Sequence, residues 1–420
     1  MDEKELLFSL LEGSRREIFA LGKRLFDKPE LGFKETGTAA IIRKFLDKHG
    51  MPYRSGLALT GVKASLGSGG YHIVLAADMD ALPVSGPDGP VCIHSCGHSI
   101  QVAVMLAVMN ALQQSRLLES VPGRVTFLAT PAEEYVDLDF RRQLIENGSI
   151  RTPSGKQNMI ADGVFDDADC VLSCHVMGDA GFEFDVNSTL AGFCAKKVRF
   201  VGRAAHSGVA PHEGRNALHA ASLCLQACAY IAEQFPQSAG VRLHPIISQG
   251  GVSMNAIPDL AVLETYLRAN TTAELMELQS RFDAAAKHCA AAIGVECEIE
   301  DTVGYLPLSQ SPTLCKALYQ NMQELCGAGR IQENVVSGAS GDIGDIAALL
   351  PAAQFGFGGI EGRVHSAEFA VGDPERAYIG TAKVVLGAIV DILRDPGLQE
   401  RYADFARRKS AYMRDWLRLS

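Results

Sequence analysis

The sequence predicts an α/β fold, with a mostly parallel sheet core covered by helices and interrupted by a smaller α+β insert. Two observations carry this. In the first and last parts of the chain, continuous apolar runs of strand length alternate with helical patterns, as when parallel strands are buried on both faces. Near residue 189 the patterning changes to alternating charged and apolar residues, as in an antiparallel sheet with one face in water.

Taken in order, the opening stretch MDEKELLFSLLEGSRREIF reads as an amphipathic helix, and IIRKFLDKH (41–49) continues a helix that starts near Thr38. HIVLAAD (72–78) is a buried strand, followed by a helix, QVAVMLAVMNALQQ, beginning near Ser99. RVTFLAT (124–130) and ADCVLSC (168–174) are two further strands. Within 193–202, KKVRFVG alternates as a half-exposed strand does. A helix (ALHAASLCLQACAYIAEQF), strands about 241–247 and 261–268, a helix (ELMELQSRFDAAAKHCAAAI) and a strand (VECEIE) complete a βαββαβ insert. After about residue 302 the core resumes with a helix at 312–325, a strand near 354–357 and a closing helix at 378–393. Residues 1–190 and 303–420 are thus expected to form one discontinuous catalytic domain, and 191–302 the insert.

The length of 420 residues suits about two or three domains, and 47% hydrophobic with 21% charged residues is ordinary globular composition. A net charge of −10 argues against a nucleic-acid partner but not against a small anionic substrate. Eleven cysteines, an odd number without framework spacing, point to free thiols in a reducing compartment. The N-terminus lacks the charge pattern of a signal peptide, and no apolar run reaches the roughly 20 residues that span a bilayer. The expectation is a cytoplasmic protein with no membrane partner.

The chemistry gathers at strand ends. Asp78 and Asp80 close the first strand, Glu133 and Glu134 follow the second, His175 ends the third, and His365 comes shortly after the C-terminal strand. In parallel sheets, ligands bind beyond the carboxyl ends of the strands. In HSCGHSIQ, Cys96 and His98 flank Gly97, which lets the backbone bend so that both side chains face one ion. Thiolate, imidazole and carboxylate donors together suit zinc or a similar divalent ion. Taken alone, so short a pair fits a structural cysteine beside a loop histidine better than a metal site. Glu133 and Glu134 follow a proline, so one carboxylate is able to bind an ion while the other moves a proton, the division a metal hydrolase needs. A serine hydrolase is disfavoured by the absence of a GxSxG elbow. GSGG at 67–70 precedes a strand and lacks a lysine, so it reads as a turn.

PELGFKE, LAADMDALPV, HSCGHS, TPAEE, CHV, GRAAHSGVAPHEGRNALHAA, NAIPD and VHS occur in that order between about residues 29 and 369. In this the chain resembles the metallopeptidase family of aminoacylases and glutamate carboxypeptidases. It looks closest to the branch of auxin-conjugate and N-acyl-amino-acid amidohydrolases and aminobenzoyl-glutamate hydrolases. The resemblance implies a phosphorylase/hydrolase-like aminopeptidase core with an inserted lid that also makes a homodimer. It implies two divalent metal ions, zinc or manganese, held by Cys96, His98, Glu134, His175 and His365, with Cys96 bridging. Glu133 is then the general base, Asp80 a supporting carboxylate, and Asp78 stands where peptidase relatives carry a histidine ligand. His206 resembles the histidine that reaches the partner's active site to steady the oxyanion, and Asn255 and Arg268 the pair that holds the substrate carboxylate.

Three departures stand out. Ser99 and Gln101 replace the polar pair of the branch's usual CGHDxH, which bears on how His98 is oriented. The interval from Glu134 to His175 is long, and RRQLIENGSIRTPSGKQNMI reads as an extra loop near the pocket. The last motif is HSA in place of HSP. The expected function is therefore a two-metal amidohydrolase acting on a small amide with a free carboxylate, of aminobenzoyl-glutamate or auxin-conjugate type. The alternatives are a non-catalytic binding homologue and a dipeptidase or carbamoyl-amidase on the same scaffold.

Overall fold

The computed structural model describes residues 2–86, 89–178 and 181–419. The chain divides into two compact units. The first comprises Met1–Thr189, Ser309–Val336 and Asp345–Ser420, the second Leu190–Leu308 and Ser337–Gly344.

In the first unit an eight-stranded sheet runs in the order Tyr53–Leu57, Gly61–Ser68, Gly123–Thr130, Tyr71–Asp78, Cys170–Val176, Ala352–Phe357, Phe184–Val186 and Ile331–Glu333. The four strands from Gly123–Thr130 to Ala352–Phe357 are mutually parallel. All eight residues of Tyr71–Asp78 are buried, which explains an uninterrupted apolar run instead of an alternating one. The helix His98–Ser115 is buried on every face through Leu112, and Glu3–Gly13, Arg15–Phe26 and Thr381–Arg394 pack against it.

The flanks of the sheet were not read from sequence. Tyr53–Leu57 and Gly61–Ser68 pair antiparallel on one side, and Phe184–Val186 is antiparallel to Ala352–Phe357 on the other. The closing helix starts at Thr381, after a π-helical turn over Glu375–Gly380. Beyond it the chain forms a further helix, Phe405–Ala411, and a second π-helical turn, Tyr412–Trp416. The segment expected as an extra loop is instead two short helices, Leu138–Glu146 and Gly155–Ala161, anchored by the buried cations Arg141 and Lys156. Among the described residues no helix is long and apolar enough to cross a membrane, and the cysteines are free thiols.

The second unit is an antiparallel sheet in the order Arg242–Leu243, Leu260–Ala269, Gly192–Val201, Glu296–Tyr305, with Ile246–Gln249 also on Leu260–Ala269. The helices Ala217–Ala232 and Thr272–Ile293 pack together and against it. The strand expected at 241–247 is split in two around His244 and Pro245, since proline has no N–H to give the ladder. Lys196 breaks the expected alternation. It lies on the buried face and is held there by Asp283 (2.9 Å) and Asp301 (2.6 Å). The last strand runs on to Tyr305, and the Leu308 amide bonds the Leu190 carbonyl, which carries this unit past residue 302. The Ala191 amide likewise bonds Ala339, so Ser337–Gly344, expected in the core, belongs here.

Candidate metal centre

Four neighbouring parallel strands point their carboxyl ends the same way, and the turns beyond them carry the acidic and imidazole side chains. Asp78 pairs in register with Thr130, and His175 with Gly356. His175 lies within its strand, which runs to Val176, two residues past the expected end.

Cys96 and His98 are placed by Gly97, whose φ of +75° is left-handed. Both side chains are buried. The Cys96 Sγ lies 3.3 Å from His175 Nε2 and 3.2 Å from His365 Nε2. His365 Nε2 is 3.6 Å from Glu134 Oε1, and His98 Nε2 is 3.8 Å from Glu133 Oε2. His365 also has left-handed backbone (φ +61°), and its amide is fixed by the Ser95 carbonyl. Three sets of donor atoms each fall within 4.8 Å of one another: Cys96, His98 and His175; Cys96, Glu134 and His365; His98, Glu133 and Glu134. The first two sets unite all five residues named as ligands and share Cys96.

The imidazoles are turned so that Nε2 faces this cluster. His98 Nδ1 is 2.8 Å from the Asp80 carbonyl, and His175 Nδ1 is 2.8 Å from the Val176 carbonyl. A carbonyl only accepts, so each Nδ1 carries a proton and Nε2 is the nitrogen offered to an ion. His98 Nε2 and Glu134 Oε1 are buried with no hydrogen-bond partner among the described residues. Burial pushes the Cys96 thiol well above its ordinary range, and Glu134 adds to it. His175 is pushed down to about 4 by burial and by His98. Burial also opposes charge on His98, but the Asp80 carboxylate, 3.3 Å from Nδ1, and the nearby Cys96 outweigh it and raise its pKa. A divalent cation satisfies these conflicting demands together: it takes up the orphaned donors and stabilises the thiolate.

The orientation of His98, left in question by Ser99 and Gln101, falls to Asp80. The Asp80 carboxylate also accepts the Glu134 amide at 2.9 Å. Ser99 is buried, its hydroxyl without a hydrogen-bond partner among the described residues, and Gln101 accepts the Asp78 amide at 3.0 Å. Asp78 belongs to none of these donor sets; its carboxylate pairs with Lys156 and accepts from Thr130.

Two supporting groups escaped the sequence reading. Arg141 donates to the Glu134 and Pro153 carbonyls from full burial. Glu35 accepts the Ala132 amide (2.9 Å) and the Thr60 hydroxyl (2.7 Å), holding Ala132 at φ +55° just before Glu133. Burial, then Asp80, raises the Glu35 carboxyl to about 8, so it is protonated at neutral pH. Glu35→Gln, which can still accept from Ala132, is therefore expected to stay within about 1 kcal/mol of the native stability. Glu35→Ala strands the Ala132 amide and is expected to cost about 1–3 kcal/mol for that group alone, read by denaturant unfolding.

His206, Asn255 and Arg268 lie in the second unit. His206 is exposed, and its Nδ1 accepts the amides of Gly208 and Val209 at 3.2 Å each. Its ring proton is thereby placed on Nε2, the tautomer that donates outward. Asn255 is exposed and accepts the Ser253 hydroxyl, and its carbonyl holds the Ser207 amide. Arg268 is half-buried against the rings of Phe193 and Tyr266, and among the described residues it bonds Ser340 and Gly338 through Nη1 alone. Its Nε–Nη2 edge keeps the parallel donors that a carboxylate accepts.

The family model described as Peptidase family M20/M25/M40 matches residues 74–389. The mouse (Mus musculus) Xaa-Arg dipeptidase is 26% identical over 418 residues, covering 93% of this chain and 89% of its own. One of the subunits of the Escherichia coli p-aminobenzoyl-glutamate hydrolase is 29% identical over 355 residues, 78% of this chain and 68% of its own. A solved chain from methicillin-resistant Staphylococcus aureus superposes with a TM-score of 0.79 at 23% identity, covering 93% of this chain and all of that one.

Proposed function

We propose, on the premise that the chain belongs to Peptidase family M20/M25/M40 and is a hydrolase of that family, that it cleaves the amide bond of N-acyl or N-aroyl amino acids bearing a free carboxylate. In this reading Cys96, His98, Glu134, His175 and His365 hold two divalent ions, zinc or manganese. The observation that carries it is the pair of donor sets sharing Cys96. When bound, such ions acidify a water and polarise the scissile carbonyl.

The chain's own groups do the rest. Glu133 takes the proton from water and delivers it to the leaving amine. His206 donates from Nε2 to the oxyanion, and Arg268 with Asn255 receives the substrate carboxylate. Asp80 keeps His98 in register, with Asp78 behind it. We assign pairing of two copies to residues 191–302, which sedimentation of the full chain measures: a single-copy mass would reject it.

A dipeptidase reading has its own support, since the mouse relative spans more of the chain than the bacterial one. A hydrolysis panel separates the two. Acyl-, aroyl- and indoleacetyl-amino acids are compared with dipeptides, including those ending in arginine, with manganese and with zinc. The acylated amino acids are expected to lead in kcat/KM. Esterifying their carboxylate is expected to cost about 10–100-fold, the value of a charge-assisted hydrogen-bond pair. A lead for dipeptides would transfer the assignment to them. No turnover, with under one ion per chain after exposure to both metals, would leave a binding homologue.

A further inference from the structure

Behind the donor sets, a buried polar chain runs from the C-terminal segment, which lies past the family-matched residues, to the turn that carries Asp80. Tyr412, Trp416 and Leu417 are buried, so this segment is packed into the first unit. The Tyr412 hydroxyl donates to Asp345 Oδ1 at 2.7 Å, and Gln157 Nε2 reaches the same oxygen at 3.3 Å. Asp345 is fully buried. Gln157 neighbours Lys156 in the helix Gly155–Ala161, whose residues are buried through Ile160. Lys156 Nζ is paired with Asp78 Oδ1, and both side chains are almost wholly shielded from water. Asp78 is further fixed by Thr130 Oγ1 at 2.6 Å and, through its amide, by Gln101 at 3.0 Å. Two residues on, Asp80 orients the His98 ring and the Glu134 amide.

A lysine and an aspartate shielded in this way are each costly unless paired in one geometry, so the pair adds little stability and much definition of position. The two peptide links from Asp78 through Met79 to Asp80 pass that definition to His98 and Glu134. Hydrogen-bond partners behind a metal ligand typically govern 10–100-fold in metal affinity.

We propose that Lys156 and Tyr412 are positioning residues of the metal centre: the C-terminal segment braces the helix 155–161, which holds Asp78 and thereby sets Asp80 against His98 and Glu134. This rests on the reading of His98 and Glu134 as ligands.

The test measures zinc and manganese retention against a competing chelator, with the denaturant midpoint and kcat and KM, for Tyr412→Phe, Lys156→Met, Lys156→Arg and the Tyr412→Phe/Lys156→Met double variant of the full chain. Arg414→Ala, whose side chain bonds its neighbour Asp415 and no other group among the described residues, is the control from the same segment. Tyr412→Phe is expected to weaken ion retention about tenfold in the folded protein, with the unfolding midpoint falling only as far as loss of the one buried hydrogen bond to Asp345 accounts for. Lys156→Met is expected to weaken it more, Lys156→Arg to recover part of the loss, and kcat to fall with KM nearly constant. In the double variant the two losses are expected to fall short of their sum, as for residues in one network. Wild-type retention in Tyr412→Phe overturns the brace, and this arm decides even if Lys156→Met fails to fold. Losses that merely follow the unfolding midpoint, or that add independently, also overturn it. An unaltered chain that takes up no second ion overturns the metal reading itself, and the brace with it.

Discussion

Glu133→Ala is expected to lower kcat by about 10²–10⁴-fold, the usual value of a positioned proton carrier, while the protein keeps its full complement of ions. The separation of these two effects follows from how the backbone is held. The Glu134 amide is tied to Asp80, its carbonyl to Arg141, and the preceding Ala132 to Glu35. Each of these anchors is independent of the Glu133 side chain, so truncating it leaves Glu134 in place. KM is expected to change little, because proton transfer is made only in the transition state. Ion content is read by elemental analysis of the purified variant, beside its turnover. Survival of activity to within tenfold would remove Glu133 as the proton carrier. Joint loss of ions and activity would make it a ligand, as the donor set of His98, Glu133 and Glu134 allows.

The parts of this protein that could be read in advance are those where one physical rule acts alone. Tyr71–Asp78 and Gly123–Thr130 are buried on both faces, so apolarity by itself announces them. The candidate ligands were legible because a parallel sheet collects whatever follows its strands, however distant in sequence: Cys96 and His365 are 269 positions apart and 3.2 Å apart in space. What escaped depends on partners that a linear reading does not pair. Tyr53–Leu57 is short and mostly exposed and exists as a strand through its neighbour Gly61–Ser68. Lys156 and Arg141 look like surface cations of a loop, and only the folded chain brings Asp78 and the Glu134 carbonyl to them. Nothing within PELGFKE singles out Glu35 for a role of its own, yet it is fully buried and bonded by Thr60 and Ala132, both distant in sequence. Ser99 and Gln101 raised doubt over His98 for the same reason, since the group that orients it, Asp80, precedes it by 18 residues.

Cys96→Ala is expected to take ion content from two per chain to below one, whereas His365→Ala is expected to leave about one. The asymmetry comes from sharing: Cys96 belongs to both donor sets that define the centre, His365 to one. The fold is expected to survive, because Cys96 packs in a small apolar group with Leu82 and Val84 and the exchange removes a single sulfur, about 1–2 kcal/mol. The thiol also leaves a mark on pH dependence. Burial, reinforced by Glu134, keeps it protonated in the absence of an ion, so uptake at neutral pH must displace that proton. Protons and ions then compete for Sγ, and affinity rises with pH by about tenfold per unit for each proton displaced. In Cys96→Ala that slope is expected to be shallower by one proton, measured by chelator competition between pH 6 and 8. A variant that kept both ions and the native slope would mean that the two sets of donors do not meet at the sulfur. The centre would then have to be rebuilt around the carboxylates Glu133 and Glu134, with His98 as their common neighbour.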